Sequence, residues 1–540
     1  MEKEKKIRFL IISLFILFFL VRLPFLDQLF LLHDERDIVL SGYSIAKTGK
    51  DLYGNSLPLS FNNISPNAPP LSIYFSSFWS LVNPIKSVFY ARLPFVIFSS
   101  LLIFLIYQLI YSLTKNRHKA ILTSVFYCFS PWMLHLTRLA FDSNIGIVFV
   151  VAAIILYLRR NNILAYFFFF LSFYTYQGLR LLLPVLIIYL ELFFLWKDKD
   201  KWQFVKKTGF NIAFVLLLIV SGFMIDSQII ESRKNEIIFF NKQKTASEVI
   251  FQRMTSVAPD KIKEIFSNKP IVALDYILTN FIKGQDISYL FKEGDYSAIN
   301  GTTASGQFFL VFIVLYYLGM VSLGRKATKE DLFIIGFSAI GMVTSLLSTN
   351  GVSFSTRSPI SGIGFAYLIA QGSIFSWTNL QRIKQRSLIV AGFIALLILN
   401  IIYFSYTYFY RRPVTVGELF NEHERQLVSY LANHTEGMFK VYTNSPKDIY
   451  LSVIFLDNNR LDMGDVQKKL AKGSPYIWHN YSFEQCIHTI DYLKLKRAII
   501  SEGCLTPALY EQLNDLNNTQ IKERIKYKDY STKTAYFITR

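Results

Sequence analysis

Two adjacent stretches decide how this sequence folds: the apolar "FLIISLFILFFLV" (residues 9–21) and the polar "LLHDERDIVL" (residues 31–40). The apolar run follows the basic "MEKEKKIR", a pattern typical of a helix that enters a membrane. No small-residue cleavage site comes after it, so we predict an uncleaved first span rather than a signal peptide. Just beyond this span lie five polar or ionisable side chains: His33, Asp34, Glu35, Arg36 and Asp37.

The composition is typical of a polytopic membrane protein. Of the 540 residues, 52% are hydrophobic and 16% aromatic, and only 18% are charged. Soluble domains rarely have this balance. Apolar runs predict about eleven membrane spans, near residues 8–26, 87–113, 119–136, 143–158, 163–175, 181–196, 208–226, 306–323, 332–348, 358–376 and 387–409.

The basic residues follow membrane topology. The net charge of +19 would suit a nucleic-acid partner. With a cytoplasmic N-terminus, however, every predicted inner connection is basic, among them "TKNRHK", "RRNN" and "KDKDKWQFVKK", as the positive-inside rule requires. We therefore predict a multi-pass protein of the plasma membrane that does not bind nucleic acid. An odd number of spans places the C-terminus and the loops 27–86 and 227–305 outside the cell.

The sequence changes character after residue 409, where the last predicted span ends. Residues 417–433 have apolar positions at helical spacing and predict a helix. "FKVYTN", "RAIIS" and "TAYFITR" predict strands, and "TPALYEQLNDL" predicts a helix between them. We predict a membrane domain over residues 1–409 and a small extracytoplasmic α/β domain over residues 410–540. Cys486 and Cys504 both lie in the second domain, in a compartment where disulfides persist. The two alternatives for them are a disulfide and a pair of buried thiols.

Asp34 and Glu35 are the first candidates for chemistry. A carboxylate at the rim of a membrane can act as a general base, because a low-dielectric setting raises its pKa toward the operating pH. The simpler alternative is an ordinary charged cap on a loop helix.

Four arginines from different segments map to the same outer face of the predicted topology: Arg36, Arg138, Arg180 and Arg357. The planar fork of arginine suits phosphate oxygens. Asp142 lies four residues after Arg138, and the two side chains either bind a ligand or form a structural salt bridge. Tyr176 precedes Arg180, and tyrosines are also common at membrane interfaces without any further role. Acids and arginines at the outer rim of an apolar bundle suggest a ligand with a lipid tail and a phosphate head.

Nucleotide-binding motifs are missing from the sequence. It contains no GxxxxGK[ST] and no GxGxxG after a strand. An enzyme on the outer face cannot easily use cytosolic nucleotide sugars. A polyprenyl-phosphate sugar that has already crossed the membrane could serve as the sugar donor instead.

The series "HDERD", "TGKDLYGNSLPLSF", "APPLSIY", "ARLPFVIFSS", "SPWMLHLTRLAFDSN" and "SFYTYQGLRLLLPV" resembles bacterial members of the protein O-mannosyltransferase family, glycosyltransferase family 39. That family is related to the lipid A aminoarabinose transferases. The resemblance is specific over residues 20–190 and thins afterwards to "YLFKEGD" and "TRSP". It implies an all-α polytopic membrane protein of GT-C type and an inverting transfer from a polyprenyl-phosphate sugar, with mannose as the family's default.

The resemblance also implies roles for individual residues. Asp34 matches the catalytic base of the family's Asp-Glu motif, with Glu35 and Arg36 as its neighbours. Arg138 and Asp142 match a second Arg/acid motif. The matches that remain are Arg180 in the Tyr-x-Tyr-x-x-x-Arg stretch, with Tyr176 before it, and Arg357 in the thinner "TRSP" turn.

The sequence departs from the family at two of these positions. Relatives often carry Glu where Asp142 stands, and the turn 353–357 lacks an expected His. No cofactor is demanded by the motifs, and a divalent metal, which some relatives bind, is left open.

The predicted function is an inverting glycosyltransferase, with a protein, glycolipid or wall polysaccharide as acceptor. One rival is a transporter or flippase of lipid-linked sugars, which should place polar groups near the bilayer midplane. A second rival is an inactive surface or assembly protein with the external domain as its working part.

Overall fold

The fold is described by a computed structural model for residues 2–61, 69–198, 201–225, 234–353, 355–434, 439–457, 462–487, 492, 495–515, 518, 520–527 and 533–540. The chain divides into two units. The first contains Met1–Pro24 and Phe95–Tyr408, and the second contains Phe25–Pro94 and Phe409–Arg540. The division near residue 409 is close to the predicted domain boundary. The predicted outer loop 27–86, however, groups with the C-terminal unit rather than with the membrane domain.

The first unit is built from helices, many of them rich in leucine, isoleucine and phenylalanine. Their bounds are Glu2–Leu20, Leu102–Thr114, Arg117–Cys128, Pro131–Leu136, Asp142–Leu158, Asn162–Phe173, Gln177–Asp198, Lys201–Ile225, Lys242–Met254, Asp260–Phe266, Lys269–Gln285, Ile313–Arg325, Lys329–Ile340, Val343–Leu347, Ser361–Leu380 and Arg386–Tyr406. Val88–Ser99 joins the two units along the chain. Gly372 allows two of these helices to approach closely, because a Cβ there would lie 1.7 Å from the carbonyl oxygen of Leu315.

Four helices in the described part of the chain are long and apolar enough to cross a membrane: Val88–Thr114, Gln177–Lys197, Lys329–Leu347 and Arg386–Val416. Shorter apolar helices of 10–17 residues are Asp142–Leu158, Asn162–Phe173, Thr208–Met224 and Leu310–Arg325. A span needs about 20 apolar residues, so these shorter helices do not meet the criterion alone. The number of eleven spans stays a prediction.

The second unit contains a six-stranded sheet with helices packed against it. Its strands are β1 (Phe439–Thr443), β2 (Tyr476–Trp478), β3 (Tyr481–Gln485), β4 (Ala498–Ser501), β5 (Ile521–Lys526) and β6 (Thr534–Thr539). They lie in the order β2-β3-β1-β4-β6-β5, with β1 parallel to β3 and β4 and the other pairs antiparallel. Its helices are His33–Thr48, Pro70–Val82, Arg412–Val416, Glu422–Asn433, Pro446–Leu456, Met463–Lys472 and Pro507–Asn514.

Local packing explains why residues 25–94 belong to this unit. The helix His33–Thr48 packs against Pro70–Val82 and also against Pro446–Leu456, which covers the sheet. At Gly42 a Cβ would lie 2.8 Å from Ser76 Cβ, so glycine and serines let the first two helices approach closely. Helix Glu422–Asn433, β1, β4, β6 and helix Pro507–Asn514 correspond to the predicted elements. The strands β2, β3 and β5 lacked a strong sequence signal.

Candidate active site

Asp34 lies in the first turn of the helix His33–Thr48, where a carboxylate is stabilised by the helix dipole. Its side chain is exposed, whereas those of the next three residues, Glu35, Arg36 and Asp37, are buried. From the sequence, Asp34 and Glu35 were predicted to act in catalysis and Arg36 to bind a phosphate. In the structure, Asp34 is an exposed carboxylate, and the three residues that follow it form buried ion pairs.

Glu35 is held by Arg92, which comes from the helix Val88–Ser99. Arg92 donates from Nε to Glu35 Oε1 at 2.9 Å and from its second nitrogen, Nη2, to Oε2 at 2.8 Å. Glu35 Oε2 also accepts from the backbone N–H of Leu32 at 3.1 Å. The remaining donors of Arg92 bond to three carbonyls of the incoming loop, those of Leu26, Leu29 and Phe30, each at 2.9 Å. Both charged groups are buried, so Glu35 is engaged in positioning the helix start.

Arg36 is fully buried and bonds to groups of its own unit. Its guanidinium donates to Asp37 at 2.9 Å and to Asp448 Oδ1 at 2.9 Å. Two further bonds go to the Asp448 carbonyl and to Ser452 Oγ, at 2.8 and 3.0 Å. From its sequence context, Arg36 was predicted to be a ligand for a donor phosphate. Its burial among these acceptors instead assigns it to the internal framework of the second unit.

His33, the residue before Asp34, forms a hydrogen bond and ion pair with Glu424. His33 Nε2 lies 3.0 Å from Glu424 Oε1, and the Ser452 hydroxyl donates to the other Glu424 oxygen at 2.5 Å. Burial lowers the pKa of His33, but the hydrogen bond and charge of Glu424 outweigh it, so the net pKa is raised. Burial raises the pKa of Glu424, but His33 and Arg36 outweigh it and bring the pKa to about 2. The pair therefore favours a protonated imidazole beside an ionised carboxylate.

In the first unit, Arg138 lies at the turn between the helices Pro131–Leu136 and Asp142–Leu158. It is largely buried, donates to the carbonyl of Arg22 at 2.9 Å, and its guanidinium carbon lies 5.7 Å from the ring centre of Tyr408. Arg22, also buried, supports this turn through a 2.6 Å bond from its Nε to Thr137 Oγ1. A second cation thus stands beside Arg138, which the sequence analysis missed.

Asp142 is the first residue of the helix Asp142–Leu158, and its Oδ1 accepts from the backbone N–H of Ser143 at 2.8 Å. Arg138 therefore lies in the turn before this helix, and Asp142 lies at the helix start.

Tyr176 and Arg180 lie at the start of another helix, Gln177–Asp198. The ring of Tyr176 folds over Gly178, where a Cβ would come within 2.5 Å of it. Arg180 is half-buried, donates to the carbonyl of Phe173 at 3.4 Å and lies 5.2 Å from the centre of that ring.

Arg357 is paired within the first unit. It donates to Glu236 Oε2 at 2.9 Å and to the hydroxyl of Ser348. In the same turn, Ser355 donates its backbone N–H to the buried carboxylate of Asp295, the last residue of "YLFKEGD". Neither Glu236 nor Asp295 was assigned a role from the sequence.

Within the described residues, no group of three or more His, Cys, Asp or Glu side chains is arranged to hold a metal ion. In the second unit a disulfide joins Cys486 and Cys504, whose Cα atoms lie 5.2 Å apart.

Comparison with known proteins reveals a likeness in structure alone. No protein-family profile matches the sequence, and no curated protein matches it. The structure is similar to ArnT from Cupriavidus metallidurans bound to undecaprenyl phosphate, with a TM-score of 0.53 and 12% identity over 97% of each chain. It is also similar to the archaeal oligosaccharyltransferase AglB from Archaeoglobus fulgidus, in complex with an inhibitory peptide and a dolichol-phosphate, with a TM-score of 0.47 and 10% identity over 83% of this chain. This chain spans 64% of the length of that AglB chain.

The likeness to ArnT defines the fold. The match to ArnT extends over nearly the whole of this chain, including the C-terminal unit. Together with the long apolar helices, this likeness indicates a membrane protein.

Proposed function

We propose that this protein is an inverting membrane glycosyltransferase that moves a sugar from a polyprenyl-phosphate carrier to an acceptor hydroxyl. The observation that carries the proposal is the match to ArnT, a protein solved with undecaprenyl phosphate, over 97% of both chains. The proposal is also supported by Asp34, an exposed carboxylate whose neighbour Glu35 is held in a buried ion pair. Mannose is the sugar that the sequence resemblance implies, and the acceptor is a protein, a glycolipid or a wall polysaccharide.

Asp34 is the general base in this proposal. One of its carboxylate oxygens takes the proton of the acceptor hydroxyl, and the acceptor oxygen attacks the anomeric carbon of the sugar. The bond between that carbon and the phosphate oxygen breaks, and polyprenyl phosphate leaves with the electron pair. A single displacement inverts the anomeric configuration. Asp34 suits this role because it is solvent-exposed, whereas both carboxylate oxygens of Glu35 accept hydrogen bonds from Arg92.

Glu35 and Arg36 act as positioning residues rather than as groups that touch the substrate. Each is anchored by at least two hydrogen bonds to partners within the second unit. A base that is held in place loses less entropy on reaching the geometry for proton transfer. The framework under Asp34 thus supports its use as a preorganised base.

Arg138 and Arg180 are proposed to bind the phosphate that leaves. Cations aimed at a group that gains charge in the transition state stabilise it strongly, and arginine matches phosphate geometry. Arg357 is a weaker third candidate, because Glu236 already pairs with it. Asp142 and Tyr176 are proposed to orient sugar hydroxyls.

The test uses full-length protein in lipid nanodiscs with a panel of polyprenyl-phosphate sugars, polyprenyl-phosphate mannose among them. Release of free polyprenyl phosphate is followed for wild type, for Asp34→Asn and for the matched control Asp27→Asn. Asp27 is another exposed aspartate of the second unit. Loss of general-base catalysis should slow transfer about 100- to 10,000-fold in Asp34→Asn, whereas Asp27→Asn should keep the wild-type rate.

Two results would reject this assignment. Wild-type turnover in Asp34→Asn would remove Asp34 from the base role. In liposomes, movement of labelled donor across the bilayer without release of polyprenyl phosphate would replace the enzyme by a transporter.

A further inference from the structure

A basic cavity lies in the first unit, and none of the residues proposed for glycosyl transfer lines it. It has a volume of about 470 Å³ and forms where three helices end: Leu102–Thr114, Asp142–Leu158 and Gln177–Asp198. Four cations line it: Lys115, Arg159, Arg160 and Lys197. None of the described residues that line it is acidic.

Two of the four cations have partners that fix them, and the other two have no acidic partner among the residues that the structure describes. The guanidinium of Arg160 lies 4.0 Å from the ring centre of Phe194, and Lys197 Nζ lies 3.0 Å from Glu330. Lys115 and Arg159 are exposed, and within the described part of the chain no carboxylate lies within 4.0 Å of either. Lys115 and Arg159 therefore bring positive charge to the cavity that no carboxylate of the described residues pairs with.

The surroundings of the cavity favour a lipid anion. Leu113, Leu158, Phe193 and Phe194 supply apolar walls, and Gln108, Tyr111 and Ser112 supply polar ones. Two of the three helices belong to segments that are long and apolar enough to cross a membrane, Val88–Thr114 and Gln177–Lys197. The ends of such segments lie where lipid headgroups meet hydrocarbon, and basic pockets between membrane helices bind lipid headgroups.

We propose that this cavity binds the phosphate headgroup of an anionic phospholipid, with Lys115 and Arg159 as its main ligands. The basic segments "TKNRHK" and "RRNN" were interpreted from the sequence as topology signals alone. Topology requires only that they carry charge on one side. Their convergence on one walled cavity with Lys197 adds a recognition role that the topology rule does not require.

The test is a titration of the full-length protein in detergent with phosphatidylglycerol, with bound lipid counted by native mass spectrometry. The variant is Lys115→Asn/Arg159→Gln, in which Asn is chosen because Lys115 has a φ of 53° that Asn tolerates. The control, Lys384→Asn/Arg382→Gln, removes the same charge from two exposed residues that do not line the cavity.

Each cation near a lipid headgroup changes affinity about fivefold, so the double variant should bind phosphatidylglycerol about 30-fold more weakly. The control should stay within about twofold, and phosphatidylcholine should bind both forms equally weakly, since its headgroup is neutral overall. If the double variant does not fold, Arg159→Gln alone should give about a fivefold loss.

Equal affinity in the variant and the control would overturn the proposal. A second arm adds millimolar inorganic phosphate, which should not displace the lipid, because it lacks the acyl chains that contact the apolar walls. Binding of inorganic phosphate at this cavity without retention of phosphatidylglycerol would also overturn the lipid assignment.

Discussion

Arg92 donates two hydrogen bonds, of 2.9 and 2.8 Å, to the two carboxylate oxygens of Glu35, and both charged groups are buried. A two-point ion pair of this kind fixes the orientation of both side chains. Because Arg92 also binds three carbonyls of the loop that enters the helix, one side chain determines where that helix begins. Because Asp34 is the neighbour of Glu35 in the chain, this ion pair also fixes the position of Asp34.

The first prediction concerns the loss of one partner. Arg92→Met should destabilise the protein by about 3–5 kcal/mol, because it leaves the buried carboxylate of Glu35 without its cation. The double variant Glu35→Leu/Arg92→Met should be less destabilised than Arg92→Met, because no unpaired charge remains. Thermal unfolding in detergent, followed by circular dichroism, measures both. A double variant that unfolds at a lower temperature than Arg92→Met would contradict an ion-pair origin of the effect.

The second prediction concerns pH and the pair His33–Glu424. The raised pKa of His33 means that its contribution is fully present below its usual pKa of 6.5 and is lost as pH rises through the raised value. The lowered pKa of Glu424 means that its contribution is present above its usual 4.5 and is lost as pH falls toward about 2. His33→Gln should therefore destabilise the protein most between about pH 5 and pH 6.5, and least at about pH 9.

The measurement for this prediction is the difference in Tm between wild type and His33→Gln across that pH range. His434→Gln is the control, since the ring of His434, half-buried in the same unit, bonds to the carbonyl of Tyr430 rather than to a carboxylate. A Tm difference for His33→Gln that stays constant from pH 5 to pH 9 would show that the imidazole acts only by packing.

The sequence was sufficient for features that depend on local pattern. The position of Asp34 beyond an apolar helix and the strand–helix–strand order of the C-terminal unit both followed from runs of residue type. Arg92 and Glu424 did not follow, because they lie 57 and 391 residues from the side chains they bind. Apolar spacing predicted the helix that carries Glu424, but spacing does not say which acid faces inward. The burial of Arg36 was missed for the same reason, since its acceptors come from residues 448 and 452.

The third prediction concerns the disulfide between Cys486 and Cys504. The two cysteines are 18 residues apart, and a loop of that length corresponds to about 3 kcal/mol of stabilisation through the unfolded chain. Cys486→Ser/Cys504→Ser should lower the free energy of unfolding by about that amount. Reduction of the wild type should reproduce the effect, and the same reductant should leave the double variant unchanged. A variant with wild-type stability would show that the bond is dispensable for this unit.

The last prediction separates arginines that bind donor phosphate from arginines that only stack. Arg180 lies 5.2 Å from the ring centre of Phe173, and Arg325 lies 5.3 Å from that of Phe375. Lysine keeps the charge but loses the planar fork, so Arg180→Lys should weaken stabilisation of the leaving phosphate. We expect kcat to fall about 10- to 100-fold for Arg180→Lys and to stay at the wild-type value for Arg325→Lys.

Steady-state rates of polyprenyl-phosphate release, at saturating and at low donor concentration, measure this difference. A transition-state contact should lower kcat and kcat/KM together, whereas a contact made equally with bound donor and transition state should raise KM alone. Equal kinetic effects in Arg180→Lys and Arg325→Lys would mean that Arg180 contributes through its ring contact. In that case Arg138, whose guanidinium lies beside Arg22, would be the cation left to hold the phosphate.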